Sequence, residues 1–166
     1  NRDKTASYID GSNREIGLYG IFDGMGGEAL GEEASLIAAE TVFKAHKKAE
    51  SGSSSDKTVL SAIKDANSAI CKKILESGEK RIGTTFAALK IENDTARVYN
   101  VGDSRVYRLR NGELTQISVD DTTAQRLVNM GMITKEKAKT HEDRHKLTQH
   151  LGIFPNEMVI EAHKSQ

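Results

Sequence analysis

The chain has 166 residues, 37% of them hydrophobic and 29% charged, with 24 basic and 24 acidic side chains in balance. That length fits one domain, and a formal net charge of zero argues against a nucleic-acid binder or a polybasic membrane anchor, which need a surplus of Lys and Arg. No stretch approaches the roughly 20 apolar residues of a membrane span, and no signal peptide is visible. The single cysteine, Cys71, cannot form an internal disulfide, so a cytoplasmic location is expected; the thiol falls in a helical pattern and reads as a core residue. The chain opens on Asn1 rather than Met, as a fragment or processed product would.

Residues 4–10 read as a strand with mixed alternation, and Gly11-Ser12-Asn13 supplies turn chemistry. The apolar run Ile16 to Phe22 is short, bounded by glycines and rich in β-formers, which predicts a buried strand in a hairpin with the first. Asp23-Gly24-Met25-Gly26-Gly27 follows as a flexible acidic loop. From Glu32 to Lys48 the spacing is helical, with Leu36, Ala39, Val42, Phe43 and His46 on one stripe. Residues 50–57 have linker composition. A second helix is predicted from Thr58 to Leu75, with Leu60, Ile63, Ala66, Ile70 and Ile74 on its apolar face.

The middle third is β. Strands are predicted at 84–91, 96–101, 104–109 and 114–119, broken at Asn93-Asp94, Gly102-Asp103 and Asn111-Gly112; the regular spacing predicts an antiparallel meander. Short helices are expected at 123–130, at 135–140 with Thr134 as N-cap, and around 143–150, followed by a strand at 158–162. Helices grouped between runs of antiparallel strands give an α+β fold class.

Two acid-glycine elements carry chemistry. A carboxylate at a strand end followed by glycines, as at Asp23, leaves the backbone free to turn and to aim a carbonyl at a cation. Hard Mg²⁺ or Mn²⁺ takes such oxygen donors, and a carboxylate can bridge two ions. The same residues also make an ordinary glycine-rich turn. Asp103, in Asn100-Val101-Gly102-Asp103-Ser104-Arg105, either projects into a cleft or completes a hairpin turn. His141 and His145 lack the thiol partners or the His-Glu-x-x-His spacing of a zinc site and read as surface histidines. Ser104 lacks a nucleophile elbow.

Taken in order, Asp23-Gly24-Met25-Gly26-Gly27, Gly83-Thr84-Thr85, Asn100 to Arg105, Asp120-Asp121-Thr122, Gly131-Met132-Ile133-Thr134 and Leu147 to Gly152 resemble the PP2C-type metal-dependent serine/threonine protein phosphatases of bacteria. The resemblance runs over essentially the whole chain. It implies an α-β-β-α sandwich of antiparallel sheets flanked by helices, here one domain over 1–166, incomplete at both ends and missing its C-terminal strands. It implies hydrolysis of phosphoserine and phosphothreonine by a metal-activated water with two Mn²⁺ or Mg²⁺ ions, phosphorylated proteins as substrates and a serine/threonine kinase as counterpart.

By the same resemblance Asp23 bridges the metals and Gly24 adds a carbonyl ligand. Asp103 helps hold a third metal near a flap at 130–144, and Asp3 contacts metal-bound water. Two departures stand out. Arg2 occupies the place where relatives carry Glu or Gln, and a guanidinium cannot donate a lone pair to a cation. The family's further metal-binding aspartates, in an Asp-Gly and an Asp-Asn element, would follow Gln166. The alternative expectation is therefore a catalytically silent binding or regulatory module of the same family.

Overall fold

The computed structural model describes residues 5–13, 16–26, 28–49, 56–78, 81–92 and 94–166. Strand β1 (Thr5–Asn13) pairs antiparallel with β2 (Ile16–Met25). Helices α1 (Glu28–Lys48) and α2 (Asp56–Ser77) follow. Then come β3 (Gly83–Thr84), β4 (Phe86–Glu92), β5 (Thr95–Val101), and the hairpin of β6 (Tyr107–Arg110) and β7 (Glu113–Gln116). Helices α3 (Thr123–Asn129) and α4 (Lys135–Lys139) precede the last strand, β8 (His163–Ser165). One antiparallel sheet runs β1-β2-β4-β5-β8 with β3 attached to β2, and β6-β7 form a separate ribbon.

The two long helices cover one face of the large sheet. Alternation along the strands sends Leu18, Phe22, Phe86, Ala88, Tyr99 and Val101 to that face, where all are buried. They meet Ala34, Ala38 and Val42 of α1 and Ala62, Ile63, Ala66, Ile70 and Ile74 of α2. The Phe22 and Phe86 rings sit tilted with centroids 5.3 Å apart, a favourable aromatic geometry. The opposite face leaves Tyr19, Ile21 and Asp23 exposed. Cys71 is buried in α2, and burial, with the nearby negative charge of Glu157, pushes its thiol pKa up.

Several expectations are corrected. The Asp23 motif is not a loop: β2 continues through Met25, because Gly24 and Met25 pair with Thr84 and Gly83 of β3. Helix α1 begins a turn earlier than Glu32; Ala39 and Val42 are buried as expected, joined by Ala34 and Ala38, while Leu36 lies exposed. The middle strands do not form one meander. Strand β5 pairs with β4 and β8, so its second edge is taken, and among the described residues β6 pairs only with β7. Residues 142–145 form turns rather than a helix, and the last strand lies at 163–165, not 158–162. Residues 50–55 of the expected linker lie outside the described residues, and residues 56 and 57 already belong to α2.

Candidate metal centre

Asp23 is the third residue from the end of β2, and its side chain is exposed beside β3. Its backbone is held from both sides by Thr85. The Thr85 N–H donates to the Asp23 carbonyl at 2.9 Å, and the Asp23 N–H donates to Thr85 Oγ1 at 3.1 Å. Thr85 Oγ1 is in turn 2.6 Å from Ser104 Oγ. One threonine hydroxyl therefore joins the three motifs at Asp23, Gly83-Thr84-Thr85 and Gly102-Asp103-Ser104. Thr85 sits where the strand is interrupted between β3 and β4, which frees its peptide for Asp23.

Gly24 is buried, and only glycine fits there. A Cβ at Gly24 would lie 1.9 Å from the Gly31 carbonyl oxygen in the first turns of α1. Gly102 has φ +96°, a region that favours glycine, and a Cβ there would press on Thr85 at 2.9 Å. Both glycines thus serve close backbone approach at the site.

Asp103 is half-buried at the turn after β5. Its carboxyl pKa is raised, first by burial and then by the negative fields of Asp120 and Asp23, with His145 and a backbone hydrogen bond acting in the opposite sense. The Asp23 and Asp103 carboxylates, 80 residues apart in sequence, therefore share one electrostatic neighbourhood. Asp120 is tied off by Arg105, whose Nε lies 3.0 and 2.9 Å from its two oxygens, and by Gln116 Nε2 at 2.8 Å. That fork gives Asp120 a cationic and an amide partner.

The donors suit a hard cation in type: carboxylate oxygens with no thiol. They do not complete a centre alone, since no group of three His, Cys, Asp or Glu side chains among the described residues could hold a metal ion. Asp3 and Arg2 lie outside the described residues. His141 Nδ1 accepts from the Asp143 N–H at 3.1 Å and His145 is exposed, in line with surface histidines. Sequence reasoning placed Asp23, Gly24 and Asp103 in the site. It gives no role to Thr85, Asp120 or Asp121, whose decisive partners Asp23, Arg105 and Gly102 lie 62, 15 and 19 residues away and leave no local spacing signal.

The profile of the protein phosphatase 2C family matches residues 1–151. This chain belongs to the protein phosphatase 2C family. It is 38% identical over 128 residues to the serine/threonine protein phosphatase PstP of Mycobacterium tuberculosis, covering 76% of this chain and 25% of PstP. It is 28% identical over 165 residues to the serine/threonine phosphatase stp of Listeria welshimeri, covering 92% of this chain and 62% of stp.

Among solved structures, the PPM Ser-Thr phosphatase MsPP of Mycobacterium smegmatis, solved with cacodylate, superposes with TM-score 0.81 at 32% identity, over 99% of this chain and 66% of MsPP. The catalytic domain of PstP, solved with two manganese ions, superposes with TM-score 0.77 at 31% identity, over 99% of this chain and 65% of that one. The chain thus spans a quarter to about two thirds of the length of these relatives. Family membership gives the antiparallel sheet and its helical layer as one side of the α-β-β-α sandwich.

Proposed function

We propose that the protein carrying this chain is a metal-dependent serine/threonine protein phosphatase that hydrolyses phosphoserine and phosphothreonine. The observation that carries the reading is the hydrogen-bond chain from the Asp23 N–H through Thr85 to Ser104, which ties the Asp23 strand to the turn that bears Asp103, in a member of this family. Asp23 and the Gly24 carbonyl would hold the catalytic Mn²⁺ or Mg²⁺, Asp103 a further ion, and Asp3 would contact water bound there. Bound divalent ions supply charge neutralisation for the phosphoryl group and a lowered pKa for the attacking water.

The protein's own part is positioning. Thr85 fixes the Asp23 backbone, and the Arg105–Asp120 fork keeps the guanidinium of Arg105 committed to the scaffold. Hydrolysis is direct: water adds to phosphorus, the ester P–O bond breaks, and the protonated alcohol and inorganic phosphate leave. Phosphorylated proteins are the substrates, a serine/threonine kinase is the counterpart enzyme, and the cytoplasm is the location. No described helix is long and apolar enough to cross a membrane.

The test is hydrolysis of p-nitrophenyl phosphate with Mn²⁺ by the complete polypeptide carrying these residues. Asp23→Ala should lower the rate on the order of 100-fold or more, since metal charge stabilisation is worth several kcal/mol. Equal rates for the two proteins would overturn the assignment. A parent protein without activity under the same conditions would favour the silent module instead, the reading that Arg2 supports.

A further inference from the structure

Asp121, between the β6-β7 ribbon and α3, has no part in the reaction above, yet five hydrogen bonds converge on it. Its Oδ2 accepts from the Gly102 N–H at 2.8 Å and from Gln149 Nε2 at 3.1 Å. Its Oδ1 accepts from His163 Nε2 at 2.7 Å. Its N–H donates to the Gly102 carbonyl at 2.9 Å, and its carbonyl accepts from the Thr148 N–H at 2.8 Å.

Gly102 is consequently gripped on both of its backbone polar groups by one residue. Gly102 is the positive-φ residue immediately before Asp103, so fixing its two peptide planes fixes the direction in which Asp103 leaves the chain. The neighbouring pair works in the same sense: Asn100 Nδ2 donates to the Val119 carbonyl at 2.6 Å, and the Val119 N–H donates to Asn100 Oδ1 at 3.2 Å. Side chains here replace the ladder that β5 does not make with the next strand.

Packing alone does not hold Asp121. A cavity of about 300 Å³ opens beside it, lined among others by Asp121, Gln149, Glu161 and His163. The hydrogen bonds therefore set its place. Gln149 is itself locked, its amide exchanging bonds with the Glu161 carbonyl and N–H at 2.8 and 2.7 Å. Restraint suits this turn, because the negative charges of Asp120 and Asp23 both act against an ionised Asp103.

We propose that Asp121 is a positioning residue that clamps the Gly102–Asp103 turn and so sets the affinity of Asp103 for a divalent cation without touching the cation. The proposal rests on the phosphatase reading for the role of Asp103. Its test is Mn²⁺ binding to the complete polypeptide, measured by calorimetry and by the electron paramagnetic resonance signal of free Mn²⁺. Asp121→Ala should weaken the Asp103-dependent binding step on the order of 10-fold, the usual scale for groups that orient a ligand from behind.

Asp121→Asn keeps an acceptor for Gly102 and a group that bonds His163, and should bind Mn²⁺ within about 2-fold of wild type. Asp121→Glu keeps the charge but misplaces it by a methylene, and should weaken binding as the alanine does. In an Asp103→Ala background, Asp121→Ala should add nothing further.

Undiminished binding in Asp121→Ala or Asp121→Glu would overturn the proposal. So would weak binding in Asp121→Asn, additivity with Asp103→Ala, or a wild-type protein that binds no Mn²⁺. Should Asp121→Ala fail to fold, the Asn and Glu pair decides. Hydrolysis by Asp23→Ala in the same series reports separately on the phosphatase reading.

Discussion

At the residue scale, Thr85 and Asp103 show opposite uses of a polar group. The Thr85 hydroxyl satisfies the Asp23 N–H and bonds Ser104 in a part-buried setting. Thr85→Val keeps the volume and removes the oxygen, so the Asp23 N–H loses its partner. The expected cost is about 1–3 kcal/mol, read from the urea midpoint, together with a fall in Mn²⁺-dependent hydrolysis; Ser104→Ala should cost less, because it strands no backbone group.

Asp103 carries a stability cost instead. Its folded pKa lies above the ordinary value of 3.8, through burial first and then its acidic neighbours. The native state therefore holds the proton more tightly than the unfolded chain, and stability falls as pH rises from about 3.8 through the folded pKa. In metal-free buffer, Asp103→Asn should raise the melting temperature at pH 7.5, and the gain should shrink toward pH 4. A gain that is constant across that range would mean the carboxylate's charge is not the cause.

At the element scale, legibility tracked whether a signal was local. The face of α2 read correctly because Ile63, Ala66, Ile70 and Ile74 repeat at helical spacing and all reach the core. Thr134 read correctly as a cap because its contact is local: its hydroxyl accepts from the Lys137 N–H at 3.2 Å. The β6-β7 turn followed from Asn111-Gly112, which take φ 52° and 80° as a two-residue hairpin requires.

What failed was partnership across the chain. Nothing near residue 101 says that the free edge of β5 pairs with residues 163–165, or that β2 is prolonged by a two-residue strand at 83–84. The site divides the same way. The order of acid-glycine motifs makes Asp23, Gly24 and Asp103 candidates, while the Thr85 bridge and the Asp121 hydrogen bonds form only once distant strands meet.

Gly24 illustrates the difference. Sequence assigns its glycine to metal access, whereas the structure adds a steric reason, the Gly31 carbonyl of α1 directly behind it. Gly24→Ala should thus destabilise the metal-free protein by about 1–3 kcal/mol or more by overpacking, measured as a lowered melting temperature in chelator.

At the scale of the whole molecule, the helical layer is bolted to the site through Asn67 of α2. Its Nδ2 donates to the Ile153 carbonyl at 2.9 Å, and its Oδ1 accepts from the Gly152 N–H at 2.7 Å. Next to that loop, Leu151 exchanges backbone bonds with Thr84 at 3.1 and 2.9 Å, and Thr84 adjoins the Thr85 that holds Asp23. A buried amide 86 residues from its partner thus connects the core to the candidate metal centre through Gly152, Leu151, Thr84 and Thr85. Asn67→Leu fills the space but orphans two backbone groups, for an expected loss of about 2–3 kcal/mol. Global destabilisation alone would speed exchange of every protected amide in proportion. A local bolt predicts more: the Thr84 and Leu151 amides should exchange faster than that of Tyr99, buried in the centre of the sheet. If Asn67→Leu lowers the urea midpoint and the three amides keep their wild-type ranking, the asparagine stabilises the fold without holding the site, and the tie to Asp23 is void.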